Sequence, residues 1–295
     1  MRVTHKTLNQ NLLRNLNEGL KRLDKLNYQL ATGKTVNVPS DDPVKTGTIL
    51  RLRSAVRETE QYLRNADHAI SWLEATDTVL QDLNSIIHRV KELAVKGVNG
   101  TLDESARQAI ADEVREIYDN VLHLANATHA GRYLFAGQST KDEPFQQGSA
   151  APGELPIVTY QGDERKLDYE IGVGARVAVN VNGKELFEPL FGAIQQLYGE
   201  LHGQQDGSSS LQKLEDALDT VLSQVSQVGA KQNRVALARE RLQDLRLNVT
   251  ELLGESQNID YAETIMHLKA EEFIYQTALA VGARIIQPSL VDFLR

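Results

Sequence analysis

A chain of 295 residues has the length of about two domains at the usual scale of roughly 150 residues each. It holds 40 acidic against 32 basic side chains and no cysteine. That excludes a phosphate-neutralising nucleic-acid surface, a disulfide framework, a thiolate nucleophile and a Cys-ligated metal. Aromatic residues make up only 5% and no apolar run nears the roughly 18–20 residues that cross a bilayer, so long amphipathic helices without membrane insertion are the first expectation.

The opening residues 1–13 contain no apolar h-region, so no cleaved secretory signal is expected. From Leu12 the leucines at 12, 16, 20, 23, 26 and 30 step by 3 and 4, which predicts one stripe on a single helix. Gly33 is placed to end that helix. Pro39-Ser40-Asp41-Asp42-Pro43 follows as a turn, with Asp42 as cap and Pro43 at the first position of the next helix.

Ile49, Leu52, Val56, Thr59, Leu63, Ala66, Ile70 and Leu73 alternate by 3 and 4. After a phase slip at Asp77, Leu80, Leu83, Ile87, Val90 and Ala94 keep the rhythm. This predicts a long helix packed along its length, broken at Gly97–Gly100. Thr101 and Glu104 have capping-box spacing, and Ala106, Ile110, Val114, Ile117, Val121 and Leu124 then predict an adjoining antiparallel helix.

Between Gly131 and Gly203 the texture becomes strand-like. Residues 157–160, 167–171 and 177–181 alternate, and Asn182-Gly183 carries a hairpin signal before Glu185-Leu186-Phe187, so three or four strands are expected. Gly203–Ser210 reads as a flexible linker. Leu211, Leu214, Leu218, Val221, Val225 and Val228 begin the last heptad run, which Val235, Leu242, Leu245, Val249 and Leu252 continue. Ala262, Met266, Ala270, Phe273, Thr277 and Ala280 form a stripe of mostly small residues before Pro288.

The fold class expected from this pattern is mainly α. Both chain ends build a long antiparallel coiled-coil or helical-bundle rod, with a small β-rich domain inserted in the middle. The divisions are terminal helices at 1–38 plus 258–295, a helical rod at 39–137 plus 205–257, and the β-rich insertion at 138–204. A single leucine stripe facing water does not offset the ordering of about 30 residues, each costing roughly 1–2 kcal/mol. The terminal helices are therefore expected to pair and to be disordered in the monomer, folding on assembly. Residues 1–30 carry six basic and two acidic side chains, and residues 260–295 three basic and five acidic, so opposite charge favours the pairing. The expected assembly interface comprises Leu12, Leu16, Leu20, Leu23, Leu26, Leu30, Met266, Ala270, Phe273, Thr277, Ala280, Ile286, Leu290 and Phe293.

Several motifs carry a resemblance. Gln29-Leu30-Ala31-Thr32-Gly33-Lys34, the Pro39–Pro43 turn, Arg64-Asn65-Ala66-Asp67, Arg89–Val95 and Asn99-Gly100-Thr101 resemble the N-terminal signature of the flagellin family. Gly229–Arg234 and the stretch from Tyr261 to Arg295 resemble its C-terminal signature. Within the family, Met1–Thr4, Gly131–Gly137 and Gln287–Leu294 are most similar to members that join the flagellar hook to the filament. The resemblance implies an adaptor ring of subunits, exported through the hollow flagellum without a cleaved signal to an extracellular place. It also implies hook-associated protein 1 and filament flagellin as neighbours, and an export chaperone on the C-terminal helix. A short filament flagellin, or a cytoplasmic coiled-coil module, are the alternatives.

No residue pattern points to catalysis. Asp41-Asp42 between two prolines reads as turn and cap rather than an acid/base pair, and Gly172–Arg176 reads as a hairpin turn because no helix pattern follows it. The seven histidines lack metal-ligand spacing with a carboxylate motif, so no cofactor, metal or catalytic site is expected.

Overall fold

The computed structural model describes residues 5–98, 103–149, 154–203 and 208–286. Six helices are described: α1 (His5–Thr32), α2 (Pro43–Val98), α3 (Glu104–Ala125), α4 (Gly183–Leu201), α5 (Ser208–Gln257) and α6 (Tyr261–Ile286). Between α3 and α4 lie six short strands, β1 (Thr128–His129), β2 (Arg132–Tyr133), β3 (Phe145–Gln147), β4 (Val158–Tyr160), β5 (Asp168–Gly172) and β6 (Ala175–Ala178). They form three separate antiparallel two-stranded sheets, β1–β2, β3–β4 and β5–β6. The fold is helical with a small strand-containing middle region. The chain divides into two compact units, residues 1–58 with 246–295, and residues 59–245.

The heptad reading of α5 holds from Leu211 to Leu242 and fails beyond it, where Leu245 and Leu252 are 48% and 50% exposed. Leu214, Val221, Val228, Val235 and Leu242, seven residues apart, are all buried. From α2, Leu63, Ala66, Leu73, Leu80, Leu83, Ile87, Val90 and Ala94 are buried as expected, and Trp72 joins them. The α2 helix runs through Asp77 without a break, so the phase slip is absorbed by burying Thr76, Val79 and Leu80 together. Arg89 pairs with Glu113 at 2.6 Å and so ties α2 to α3.

Three expectations are corrected here. The α3 seam is Ala111, Val114, Tyr118, Val121 and Ala125, while Ile110, Ile117 and Leu124 flank it half-buried. Asp103 caps α3, its carboxylate accepting from the Ala106 amide at 2.9 Å, whereas Thr101 lies outside the described residues. Those bonds hold the Asp103 carboxyl below the usual aspartate range.

The third correction concerns Asn182-Gly183, which starts a 19-residue helix rather than a hairpin. The Asn182 side chain accepts from the Lys184 amide, so the same asparagine chemistry that serves a turn serves as a cap. Leu186, Phe187, Leu190, Phe191, Ile194 and Leu197 then bury one face of α4. Four of the chain's six phenylalanines, Phe135, Phe145, Phe187 and Phe191, meet there, with ring centroids 5.0 Å apart for Phe135 and Phe187 and 5.3 Å for Phe145 and Phe187. Tyr118 edges onto Phe191 at 5.2 Å, which locks α3 to α4.

The β5–β6 hairpin forms as expected at Gly172–Arg176, with Gly172 opposite Ala175 and Gly174 at φ +70°. Strands β1, β2 and β3, two or three residues each, have no alternation long enough to be read from sequence.

Candidate assembly interface

In the smaller unit α1 and α6 lie antiparallel, side by side. The contacts climb α1 as they descend α6. Gly282 sits against Leu12, Gly19 against Tyr275, Arg22 against Glu271, and Gly33 against Tyr261. A Cβ at Gly282 would stand 2.7 Å from a Leu12 methyl and one at Gly19 would stand 3.5 Å from the Tyr275 ring, so small residues admit large ones across the seam. Arg22 Nε and Nη2 donate to the two Glu271 oxygens at 2.9 and 3.3 Å. That bidentate bond raises the Arg22 guanidinium pKa further and fixes the register.

The pair is pinned at its closed end by backbone. Lys34 and Asn258 form an antiparallel bridge, the Thr35 amide donates to Gln257 O at 2.8 Å, and the Ile259 amide donates to Gly33 O at 3.2 Å. Gly33 adopts φ +69° while its amide donates to Gln29 O, ending α1 as expected. Asp42 Oδ1 accepts from the Lys45 amide at 2.9 Å and caps α2. Asp41 accepts from the Asn37 and Val38 amides and pairs with Lys25 at 3.1 Å. The Val38 amide first, and Lys25 second, hold its carboxyl below the ordinary aspartate range. The carboxylates of this turn therefore cap and clasp.

Of the α1 residues expected at the interface, Leu12, Leu16, Leu23, Leu26 and Leu30 are half-buried on the α6 side. Leu20 departs from the stripe at 46% exposed, and Gly19 is buried in its place. On α6 the seam toward α1 is Thr264, Leu268, Glu271, Tyr275, Ala278 and Gly282, spaced 4, 3, 4, 3 and 4. This seam was not anticipated, although its heptad spacing was present in the sequence. Met266, Ala270, Phe273, Thr277 and Ala280 lie two residues further round, about 200° away on a helix of 3.6 residues per turn. They face outward, with Met266 67% and Phe273 70% exposed. So α6 has one side closed on α1 and a second, apolar side open. Beside it, Asn9, Leu12, Leu13, Leu16, Leu279, Gly282 and Ala283 line an apolar groove of about 400 Å³. Ile286 is the last residue of α6, and Leu290 and Phe293 lie outside the described residues.

These helices coincide with two matched sequence families. Residues 3–140 match the bacterial flagellin N-terminal helical region, and residues 211–294 match the bacterial flagellin C-terminal helical region. The flagellar hook-associated protein 3 of Salmonella typhimurium is 28% identical over 200 residues, covering 68% of this chain. The chain spans only 58% of that relative's length. A flagellin of Bacillus subtilis is 23% identical over 306 residues, covering 96% of each chain. Among solved structures, a flagellar hook-associated protein from Vibrio parahaemolyticus shares the fold at a TM-score of 0.66 and 20% identity, covering 74% of this chain and 100% of its own. With both terminal helical regions matched over most of its length, the chain belongs to the bacterial flagellin family, whose members are structural proteins of the flagellum and not enzymes.

Proposed function

We propose that this chain is a structural protein of the bacterial flagellum, an adaptor ring that joins hook to filament. The observation that carries the reading is the open apolar side of α6. Phe273 at 70% and Met266 at 67% exposure lie in line with Ala270, Thr277 and Ala280, while the opposite side of the helix is already closed by α1. An apolar helix face of this length calls for cover, and the small residues let a neighbouring helix approach closely. Leu20 and the groove near Leu12 and Leu16 extend the same open surface on the α1 side. With Ile286, Leu290 and Phe293 they make up the proposed assembly interface.

In this reading hook-associated protein 1 lies on one side of the ring and filament flagellin on the other. An export chaperone covers the C-terminal helix before the chain travels through the flagellum, without a cleaved signal. The likeness to the Salmonella relative supports the junction role. A second reading, a short filament flagellin, is favoured by the alignment with the Bacillus subtilis flagellin over 96% of both chains.

Seeded assembly separates the two. Purified subunits added to filament fragments are expected to cap or ring the ends without elongating them, and long homopolymers would establish the filament reading instead. Mass spectrometry and immunolabelling of isolated flagella are expected to place the chain in one short zone rather than along the filament.

A further inference from the structure

The larger unit carries two oppositely charged surfaces. On α3, Asp112, Glu116 and Asp119 each stand two residues before a buried side chain, Val114, Tyr118 and Val121. Two residues turn a helix by about 200°, so the three carboxylates share its outward face. Among the described residues none of them joins an ion pair, and neither does Arg115 beside them.

On α5, Arg239 turns toward α2 and pairs with Asp67 at 2.6 Å. Lys231, Arg234 and Arg241 lie round the helix from it, within about 80° of one another. Arg234 donates to Arg176 O at 3.4 Å, which brings the β6 arginine to the same surface. Lys166 adds a fifth cation: burial first, and the Lys166 ammonium second, pull Lys231 below the usual lysine range. The carboxylates just before Lys166 are engaged, Asp163 by Arg165 and Glu164 by Lys184. Glu170 stands opposite Arg176 in the ladder without closing an ion pair. The patch therefore holds like charge together uncompensated.

These two surfaces lie on different sides of one molecule. Glu113 joins α3 to Arg89 of α2, and Glu215 joins α5 to Lys91, two positions about 200° apart on α2. We propose that a second copy of this chain supplies the counter-charge, the α3 stripe of one copy lying on the α5 patch of the next. The proposal rests on the assembly reading above and adds where subunits touch outside the terminal helices. A contact between two unlike surfaces leaves one of each free, so it propagates from copy to copy. Single exposed ion pairs contribute little, so the charges act as a set.

The helices also fix a register. Both α3 and α5 run antiparallel to α2, and Asp112–Asp119 and Arg234–Arg241 share a seven-residue spacing. Copies in like orientation set Asp112 against Arg234 and Asp119 against Arg241. Glu113 is level with Arg89 and Arg239 with Asp67, so this match steps one copy about 27 Å along its neighbour.

Charge reversal in the full chain, added to isolated flagellar ends, tests the contact. One variant carries Arg234→Glu with Arg241→Glu, the other Asp112→Arg with Asp119→Arg. Each is expected to add at least tenfold less than the unaltered chain, with the helical circular dichroism unchanged. An equimolar mixture is expected to recover addition, because each variant offers the other its complement. The chain has no cysteine, so introduced pairs report the step. Under mild oxidation Asp112→Cys with Arg234→Cys is expected to link copies. Asp112→Cys with Lys213→Cys, which would meet only in level copies, is expected not to. Undiminished addition of either reversed variant, no recovery in the mixture, or linkage through 213 in place of 234 would overturn the proposal. Phe273→Asp keeps the two readings apart. Its loss of addition beside undiminished charge variants refutes the α3–α5 contact alone, whereas its own undiminished addition refutes the assembly surface on α6.

Discussion

At the scale of single residues, two positions make sharp demands. Gly183 opens α4 so close to Phe135 that a Cβ there would stand 2.6 Å from the Phe135 carbonyl oxygen and 2.9 Å from its Cβ. Neither is the free end of a flexible side chain, so the backbone has to shift. Gly183→Ala is expected to cost about 1–3 kcal/mol, the usual range for overpacking, read from urea denaturation. Tyr118 donates to Pro156 O at 2.6 Å inside the α3–α4 contact, and burial pushes its phenol up to about 12. The folded state therefore keeps the proton that the unfolded chain releases near pH 10. Stability is expected to be fully present below pH 10 and to fall as pH rises toward 12. Tyr118→Phe is expected to flatten part of that decline in thermal melts taken across the range, the rest coming from Tyr160, whose phenol is likewise pushed up to about 12 by burial.

At the scale of elements, the α1–α6 pair tests how register is set. Arg22 and Glu271 are the one cross-seam ion pair among the described residues of these helices, and the glycine contacts at 19 and 282 agree with its alignment. Arg22→Glu is expected to speed amide exchange across both helices, and the double swap with Glu271→Arg to restore slow exchange. Two independent surface effects would leave the double variant as fast as the first. The α1 half of this seam was legible because leucine at 3- and 4-residue steps has few other meanings. The α6 half was hidden because Thr264, Glu271 and Gly282 are not apolar, and a more apolar stripe runs along the other side of the same helix. α4 was masked by one local signal, Asn182-Gly183, that outweighed six well-spaced apolar residues. The charged patch on α5 was beyond reach for another reason: its cations come from Lys166, Arg176 and residues 231–241, which only the fold brings together.

At the scale of the whole molecule, the long heptads specified the helical core and the strand-like texture specified the middle region. What they left open was how far each unit is complete by itself. The larger unit closes a continuous apolar core around Leu80, Ile87, Phe187 and Val228. The smaller unit keeps Met266, Phe273, Ile274 and Val281 at the surface. Free subunits are accordingly expected to exchange the amides of residues 5–38 and 258–286 faster than those of α3, α4 and residues 59–98. On incorporation into flagellar ends, the terminal amides are expected to become protected. Equal protection of both units in the free subunit, measured by mass spectrometry, would contradict assembly-linked ordering.

The backbone clasp between Gly33–Thr35 and Gln257–Ile259 sets the terms of any exchange of helix partners. With that buckle fastened, α1 and α6 remain tethered within reach of each other even when their leucines have parted, at an effective concentration on the order of millimolar for a short tether. A helix from another subunit must compete with a leashed rival, so partner swapping in dilute solution is held back until many copies crowd together at a growing end.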